Sequence, residues 1–310
     1  MTLPETEPAL AAEKPVRADD RTGFPVALAA YLMWGFLPLL FHALDGVPAV
    51  LIVAERTLYC LVVVGVIVLV SRKWHEVRAV FTSRRRVALI ALSTVLLAGN
   101  WLLYVYSVES GQVLEASFGY FINPLVNVAL GMVLLGERQR PLQAVAIAIA
   151  VVAIAIQAVG LGTIPWIALS LAVSFGLYGF LRKTVAVGSA TGLFVETALL
   201  APVCILYLAW FTASVGVGPH DDPRLVLLLA AAGPATALPL LAFAYAVKRL
   251  RLTTIGMLQY LAPSIQFALA ITVFGEELNA MRLFSFVLIW VSLVVFTFDG
   301  WRNRRVAEAG

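Results

Sequence analysis

Three ionisable side chains stand inside long apolar runs: Glu55 and Arg56 in AVLIVAERTLYCLVVVGVIVLV, and Glu196 in TGLFVETALLAPVCILYLAW. In hydrocarbon such a group costs on the order of 2.5–3.5 kcal/mol to insert, so it is expected to be functional or paired. Glu196 could hold a proton or a substrate amine; a carboxylate near a helix N-terminus, favoured by the macrodipole and reached by water, is the plainer alternative. Glu55 and Arg56 are neighbours and project from a helix in different directions, so pairing with other helices is expected over a mutual salt bridge. Arg56 is long enough to snorkel to an outer interface, which favours an anchoring or helix-pairing role over substrate contact. Asp299, beside Arg302, reads as a solvated end charge.

Amides and aromatics form the second set. Asn123-Pro124 and Ala262-Pro263 put a proline in the middle of an apolar run, where it frees a backbone carbonyl and permits a kink. Pro124 and Pro263 are therefore candidate hinges. Asn123, Asn127, Gln259 and Gln266 could satisfy the freed carbonyls, bond across helices or turn toward a ligand. The amide of Asn100, with Trp34, Trp101, Tyr104, Tyr120, Tyr178, Tyr245 and Tyr260 as aromatic surface with polar tips, suits a flat, partly polar small molecule; belts at a membrane interface are the competing use of any tyrosine near a span end. Together with Asn123, Asn127 and Gln259, these eight are the candidate substrate-binding residues, and Glu196, Glu55 and Arg56 the candidate charge or proton-coupling residues.

The usual equipment of an enzyme is missing from the sequence. His42, His75 and His220 fall at run ends or in connections without metal-ligand or base-nucleophile spacing, and there is no Walker-type glycine loop. Cys60 and Cys204 sit in apolar runs as small hydrophobes, so neither a disulfide nor a metal or cofactor is expected.

The composition decides what positions these residues. Of 310 residues 61% are hydrophobic and 13% charged, and the mean hydropathy is +0.93. No soluble core hides that much apolar surface, and the chain has room for about ten membrane helices and no separate catalytic domain. Apolar runs predict helices near 24–43, 49–70, 87–108, 114–135, 142–159, 164–181, 192–213, 225–247, 253–274 and 281–298. Residues 1–23 are polar, rich in Pro and Glu, and lack an apolar core, so they read as a disordered tail and no cleavable signal; 302–310 read as a second tail. Of the 22 lysines and arginines, all but Arg56, Arg224 and Arg282 fall on one alternating set of connections, which puts both termini in the cytoplasm. The net charge of +4 is thus a topology signal, with no basic patch for nucleic acid.

At a shift of about 139 to 144 residues the chain resembles itself. Pro124 falls on Pro263, Gly136-Glu137 on Gly275-Glu276, Tyr106 on Tyr245, Trp34-Gly35-Phe36 on Tyr178-Gly179-Phe180, and Glu55 on Glu196. Five helices per half, an odd number, make the repeat inverted. Such a pair has two nearly equivalent packings, one open to each side, around a site near the midplane, which points to a carrier. A channel or an intramembrane enzyme is the alternative; no filter-like motif or charged ring supports the first.

The stretch LEASFGYFINPLVNVALGMVLLGERQR from Leu114, with AAYLMWG at 29–35, GNW at 99–101 and TGLFVET at 191–197, resembles the RarD proteins of the EamA branch of the drug/metabolite transporter superfamily. The likeness runs from about Phe24 to Trp301. It implies an all-α protein of the cytoplasmic (inner) membrane with ten transmembrane helices in two inverted five-helix repeats, 24–161 and 162–301. It also implies a central cavity lined mainly by the first, third, fourth, sixth, eighth and ninth helices. The expected activity is secondary transport of a small organic solute, a metabolite or a drug such as chloramphenicol, by alternating access, in the direction of export and with a proton as the candidate coupling ion. The relatives carry a histidine before the arginine of the second helix where this chain has Glu55.

Overall fold

The computed structural model describes residues 22–110, 112–161, 165–273, 275 and 280–309. The tail expected at 1–23 lies almost wholly outside them, as does Glu276 of the second Gly-Glu pair. The described chain is helical: α1 (Gly23–Ala43), α2 (Ala49–Val70), α3 (Trp74–Phe81), α4 (Arg84–Glu109), α5 (Val113–Leu135), α6 (Pro141–Leu161), α7 (Trp166–Thr184), α8 (Ser189–Val215), α9 (Pro223–Ala246), α10 (Leu252–Gln259), α11 (Leu261–Thr272) and α12 (Ala280–Ala309), with a 3-10 turn at Gly218–Asp221 before α9. All ten expected spans fall on these helices.

Two differences from expectation have local causes. The short α3 lies in the basic connection after α2, too polar for a span; Val77 and Val80 bury one face, and its Glu76 accepts a hydrogen bond from Thr191 Oγ1 at 2.7 Å. The ninth span is not one helix. Pro263 has no N–H to donate to the Gln259 carbonyl, and the chain turns at Tyr260 between α10 and α11. Pro124, its counterpart, leaves α5 continuous.

Among the described residues nine helical segments, α10–α11 counted as one, are long and apolar enough to cross a membrane. α7 has the length, but Arg182 and Lys183 lie in its last turn; packed between α4 and α5, it needs less apolar surface of its own. On the outside, Val62, Leu69, Val133, Val159, Leu206 and Val294 are 63% to 81% exposed. An aliphatic sheath of this kind would be an aggregation surface in water and is the normal exterior in lipid. The protein is a multi-pass membrane protein.

The packing repeats itself under exchange of the halves, with α1, α2, α4, α5 and α6 corresponding to α7, α8, α9, α10–α11 and α12. The α1–α9 contact has its counterpart in α7–α4, α2–α9 in α8–α4, and α5–α7 in α11–α1. The α2–α8, α5–α10 and α6–α12 contacts map onto themselves, as contacts across a pseudo-twofold axis must. Gly136 and Gly275 also match, with left-handed φ of 64° and 67° at the ends of corresponding helices.

The end of the bundle that carries the chain termini is tied across the halves. Glu137 accepts from Leu252 N (2.7 Å), Thr253 N (3.0 Å) and Thr253 Oγ1 (2.7 Å), so a carboxylate of the first half caps the first turn of α10 in the second. Lys183 Nζ donates to the carbonyls of Val247 and Leu250, and Lys248 Nζ to those of Val185 and Val187, two lysines exchanged between adjacent connections. Asp299 is not solvated as expected. It is 1% exposed and pairs with Arg140 Nε at 2.6 Å, because the end of α12 runs alongside the connection from α5 to α6.

Candidate functional site

Arg56 lies two turns inside α2, about 10 Å from the end of the bundle opposite the termini. It does not snorkel. The residue is 9% exposed, and its guanidinium carbon sits 4.4 Å from the centre of the Trp101 ring and 6.0 Å from that of Phe41. One turn further along α4 than Trp101, the Tyr104 ring centre lies 6.2 Å from that of Tyr120 on α5. Tyr120 is 41% exposed. Four sequence candidates from three helices thus form one cluster.

Toward the other end the bundle is closed by charge and by rings. Glu196 on α8 is fully buried; Arg182 Nη1 stands 3.6 Å from its Oε1, Ser93 Oγ donates to Oε1 at 2.5 Å, and Tyr178 OH donates to Oε2 at 3.4 Å. The motif TGLFVET explains the fit. Gly192 and Glu196 are four residues apart on one helix face, and a Cβ on Gly192 would overlap the Arg182 guanidinium. Between this pair and the Arg56 cluster, Tyr178 stacks on Phe243 with 13° between planes, and Trp34 packs against Tyr31, Phe175 and Phe243 with ring centres 5.7 to 5.9 Å apart. Trp34 and Tyr178 therefore belong to an aromatic plug in the middle of the bundle.

The amides hold helices together. Asn127 Nδ2 donates to Gln259 Oε1 at 2.8 Å across α5 and α10, Asn100 Nδ2 to the Leu171 carbonyl and Ser174 Oγ at 2.9 Å, and Gln266 Nε2 to the Trp34 carbonyl at 3.1 Å. The Asn123 side-chain oxygen and the Tyr260 hydroxyl are buried with no hydrogen-bond partner. Tyr245 stands apart from all of these, at the terminus-bearing end, with the Arg249 guanidinium 3.5 Å over its ring.

Glu55 turns away from Arg56 to the 3-10 turn before α9. Its Oε1 lies 2.9 Å from His220 Nε2, while His220 Nδ1 faces the Val217 carbonyl at 2.9 Å. With an acceptor at each ring nitrogen, the imidazolium is the form that satisfies both, and the His220 pKa is raised, first by the Val217 carbonyl and then by Glu55; Asp221 adds to it. A raised value means that the strut contributes fully below about pH 6.5 and loses its contribution as pH rises through the folded-state value. We expect His220→Gln to cost roughly 0.2–1 kcal/mol at pH 5.5 and nothing measurable at pH 8.5, since the contact is partly exposed. Thermal unfolding of purified protein at the two pH values is the check, and an equal loss at both would remove the charge from this explanation.

Sequence reasoning missed Arg182, Ser93, Phe175, Phe243 and His220 as members of these groups. For Arg182 a signal existed: it precedes a short connection and Glu196 follows it, so a helical hairpin brings them side by side.

The described residues form an all-helical membrane bundle of two exchangeable halves with charged and aromatic side chains buried in its interior. The EamA-like transporter family model matches residues 21–158, which is α1 to most of α6. The RarD protein of Salmonella typhi is 43% identical over 288 residues, covering 92% of this chain and 97% of its own. An uncharacterized transporter of Vibrio cholerae is 41% identical over 299 residues, 95% of this chain and 98% of its own. A crystal structure with 22% sequence identity shares the fold, with a TM-score of 0.70 over 90% of this chain and 98% of its own. The chain belongs to the EamA branch of the drug/metabolite transporter superfamily, among the RarD proteins.

Proposed function

We propose that this transporter is a secondary carrier that moves a small organic solute across the cytoplasmic membrane by alternating access between the repeats 24–161 and 162–301, without enzymatic activity and in the direction of export. In this reading both termini are cytoplasmic and the described state is outward-facing. The observation that carries it is the seal at one end, where Glu196, Arg182 and Tyr178 are at most 1% exposed, in a bundle whose contacts exchange between the halves. A packing that survives exchange of the halves offers the mirror state, with the outer side closed and the inner open. Opening the inner end requires parting Glu196 from Arg182, and a proton on Glu196 would release that pair, which is how coupling to a proton would work. Pro263, at the break between α10 and α11, and Pro124 are the hinge candidates for that motion.

The test is counterflow. Proteoliposomes loaded with an isotope-labelled extract of small bacterial metabolites are diluted into the same extract unlabelled. The proposal expects saturable exchange of a narrow set of solutes, and in Glu196→Gln exchange that no longer responds to a pH gradient. Release no faster than from protein-free liposomes, or an ohmic current without saturation, would refute the carrier reading.

A further inference from the structure

The carrier reading leaves the solute's chemistry open, and the cluster around Arg56 narrows it. Of the buried charged side chains among the described residues, Glu55 faces His220, Arg182 and Glu196 face each other, and Asp299 faces Arg140. Arg56 faces no acid. It makes no hydrogen bond or ion pair with the described residues, and of its nitrogens only Nε is sealed from solvent.

A cation is costly at this depth unless something compensates it, and the faces of Trp101 and Phe41 do so only partly. Their position carries a second message. The Arg56 guanidinium carbon lies over the Trp101 ring at 4.4 Å, a contact that uses none of its N–H groups as hydrogen-bond donors. The unused valence of Arg56 is therefore the in-plane fork that suits a carboxylate. The rings of Tyr104 and Tyr120, 6.2 Å apart, add aromatic surface and two hydroxyl donors to the same cluster.

Resting on the carrier reading above, we infer that the solute is a monoanionic organic acid with a planar or aromatic body. Its carboxylate is held by Arg56 with Tyr104 and Tyr120, and its ring lies against Trp101 and the two tyrosines. A zwitterion fits less well, because Glu55 is taken by His220 and Glu196 by Arg182, so no buried carboxylate among the described residues is free for an ammonium group. A neutral drug such as chloramphenicol leaves the Arg56 fork unused.

Isothermal titration calorimetry of the detergent-purified full chain in chloride-free buffer tests this with benzoate and phenylpyruvate as probes, and with benzamide, phenylalanine and sodium chloride as controls. Both acids are expected to bind at least roughly tenfold more tightly than either organic control. Arg56→Gln should lose that preference, and Arg56→Lys, which keeps the charge and loses the fork, should recover part of it. Circular dichroism and size-exclusion profiles check that the variants are folded; should Arg56→Gln not fold, Tyr104→Phe with Tyr120→Phe provides the loss of preference instead. Equal binding of benzamide or phenylalanine, no binding of either acid, or undiminished binding by Arg56→Gln would overturn the inference, and competition by chloride at the same affinity would make this an inorganic-anion site and overturn it as well. Binding does not require motion. A chain that exchanges solutes but prefers neutral ones loses this inference alone, whereas one that binds benzoate and never exchanges it loses the carrier reading.

Discussion

Arg182→Met is expected to destabilise the protein by about 3–5 kcal/mol, because it leaves the Glu196 carboxylate fully buried with only Ser93 and Tyr178 as partners. Glu196→Gln leaves the opposite charge stranded. The Arg182 Nε and Nη1 atoms already have no hydrogen-bond acceptor, so the guanidinium relies on Glu196 and on the carbonyls of Gly188 and Ser189. The double variant Arg182→Met with Glu196→Gln removes both charges and should recover most of the loss, since replacing a buried pair outright is far less costly than breaking it. Thermal unfolding in detergent measures all three, and the double-mutant cycle isolates the coupling. Additive losses would show that the two side chains do not act as a pair.

Replacing Glu137 should have the next largest effect. Its carboxylate accepts from two backbone N–H groups and one hydroxyl at the start of α10, and lies 3.8 Å from the Arg251 guanidinium. Glu137→Ala leaves those donors without a partner in a mostly buried place, at roughly 1–3 kcal/mol. Glu137→Gln keeps an acceptor oxygen and should cost less. Because the cap joins one half to the other, hydrogen exchange is expected to speed up first in the amides of α10. A uniform loss of protection along the chain would mean that the contact is an ordinary part of the global fold.

Much of this was legible in the sequence, for physical reasons that differ by residue. Spans declare themselves because lipid demands continuous apolar length, and the repeat shows in the sequence through Pro124 and Pro263 and the two Gly-Glu pairs, of which Gly136 and Gly275 share a left-handed backbone while the two prolines differ in effect. The cluster was legible in part: Tyr104 and Tyr120 read as aromatics with polar tips and their ring centres lie 6.2 Å apart, while Trp101 packs against the Arg56 guanidinium. Hydropathy could not say that Arg56 points inward, since a long side chain two turns from a helix end can equally reach the interface. Nor could it say that Arg182 is buried, because a basic residue at a helix end reads first as a topology signal. The His220 strut joins residues 165 positions apart. Glu196 was found from the cost of its burial, but its partners depend on how α4, α7 and α8 meet.

The measurement that tests alternating access most directly is labelling by a membrane-impermeant maleimide in sealed vesicles of each orientation, using Tyr120→Cys and, separately, Phe175→Cys in chains with Cys60→Ala and Cys204→Ser. The account predicts that Tyr120→Cys is labelled only from the face opposite the termini and Phe175→Cys only from the terminus-bearing face. Both should go to completion as molecules pass between the two states, with the second slower because its end is closed in the state described. Labelling of both positions from both faces would indicate an open pore, and a permanently unreactive Phe175→Cys a fixed structure; either result contradicts a carrier.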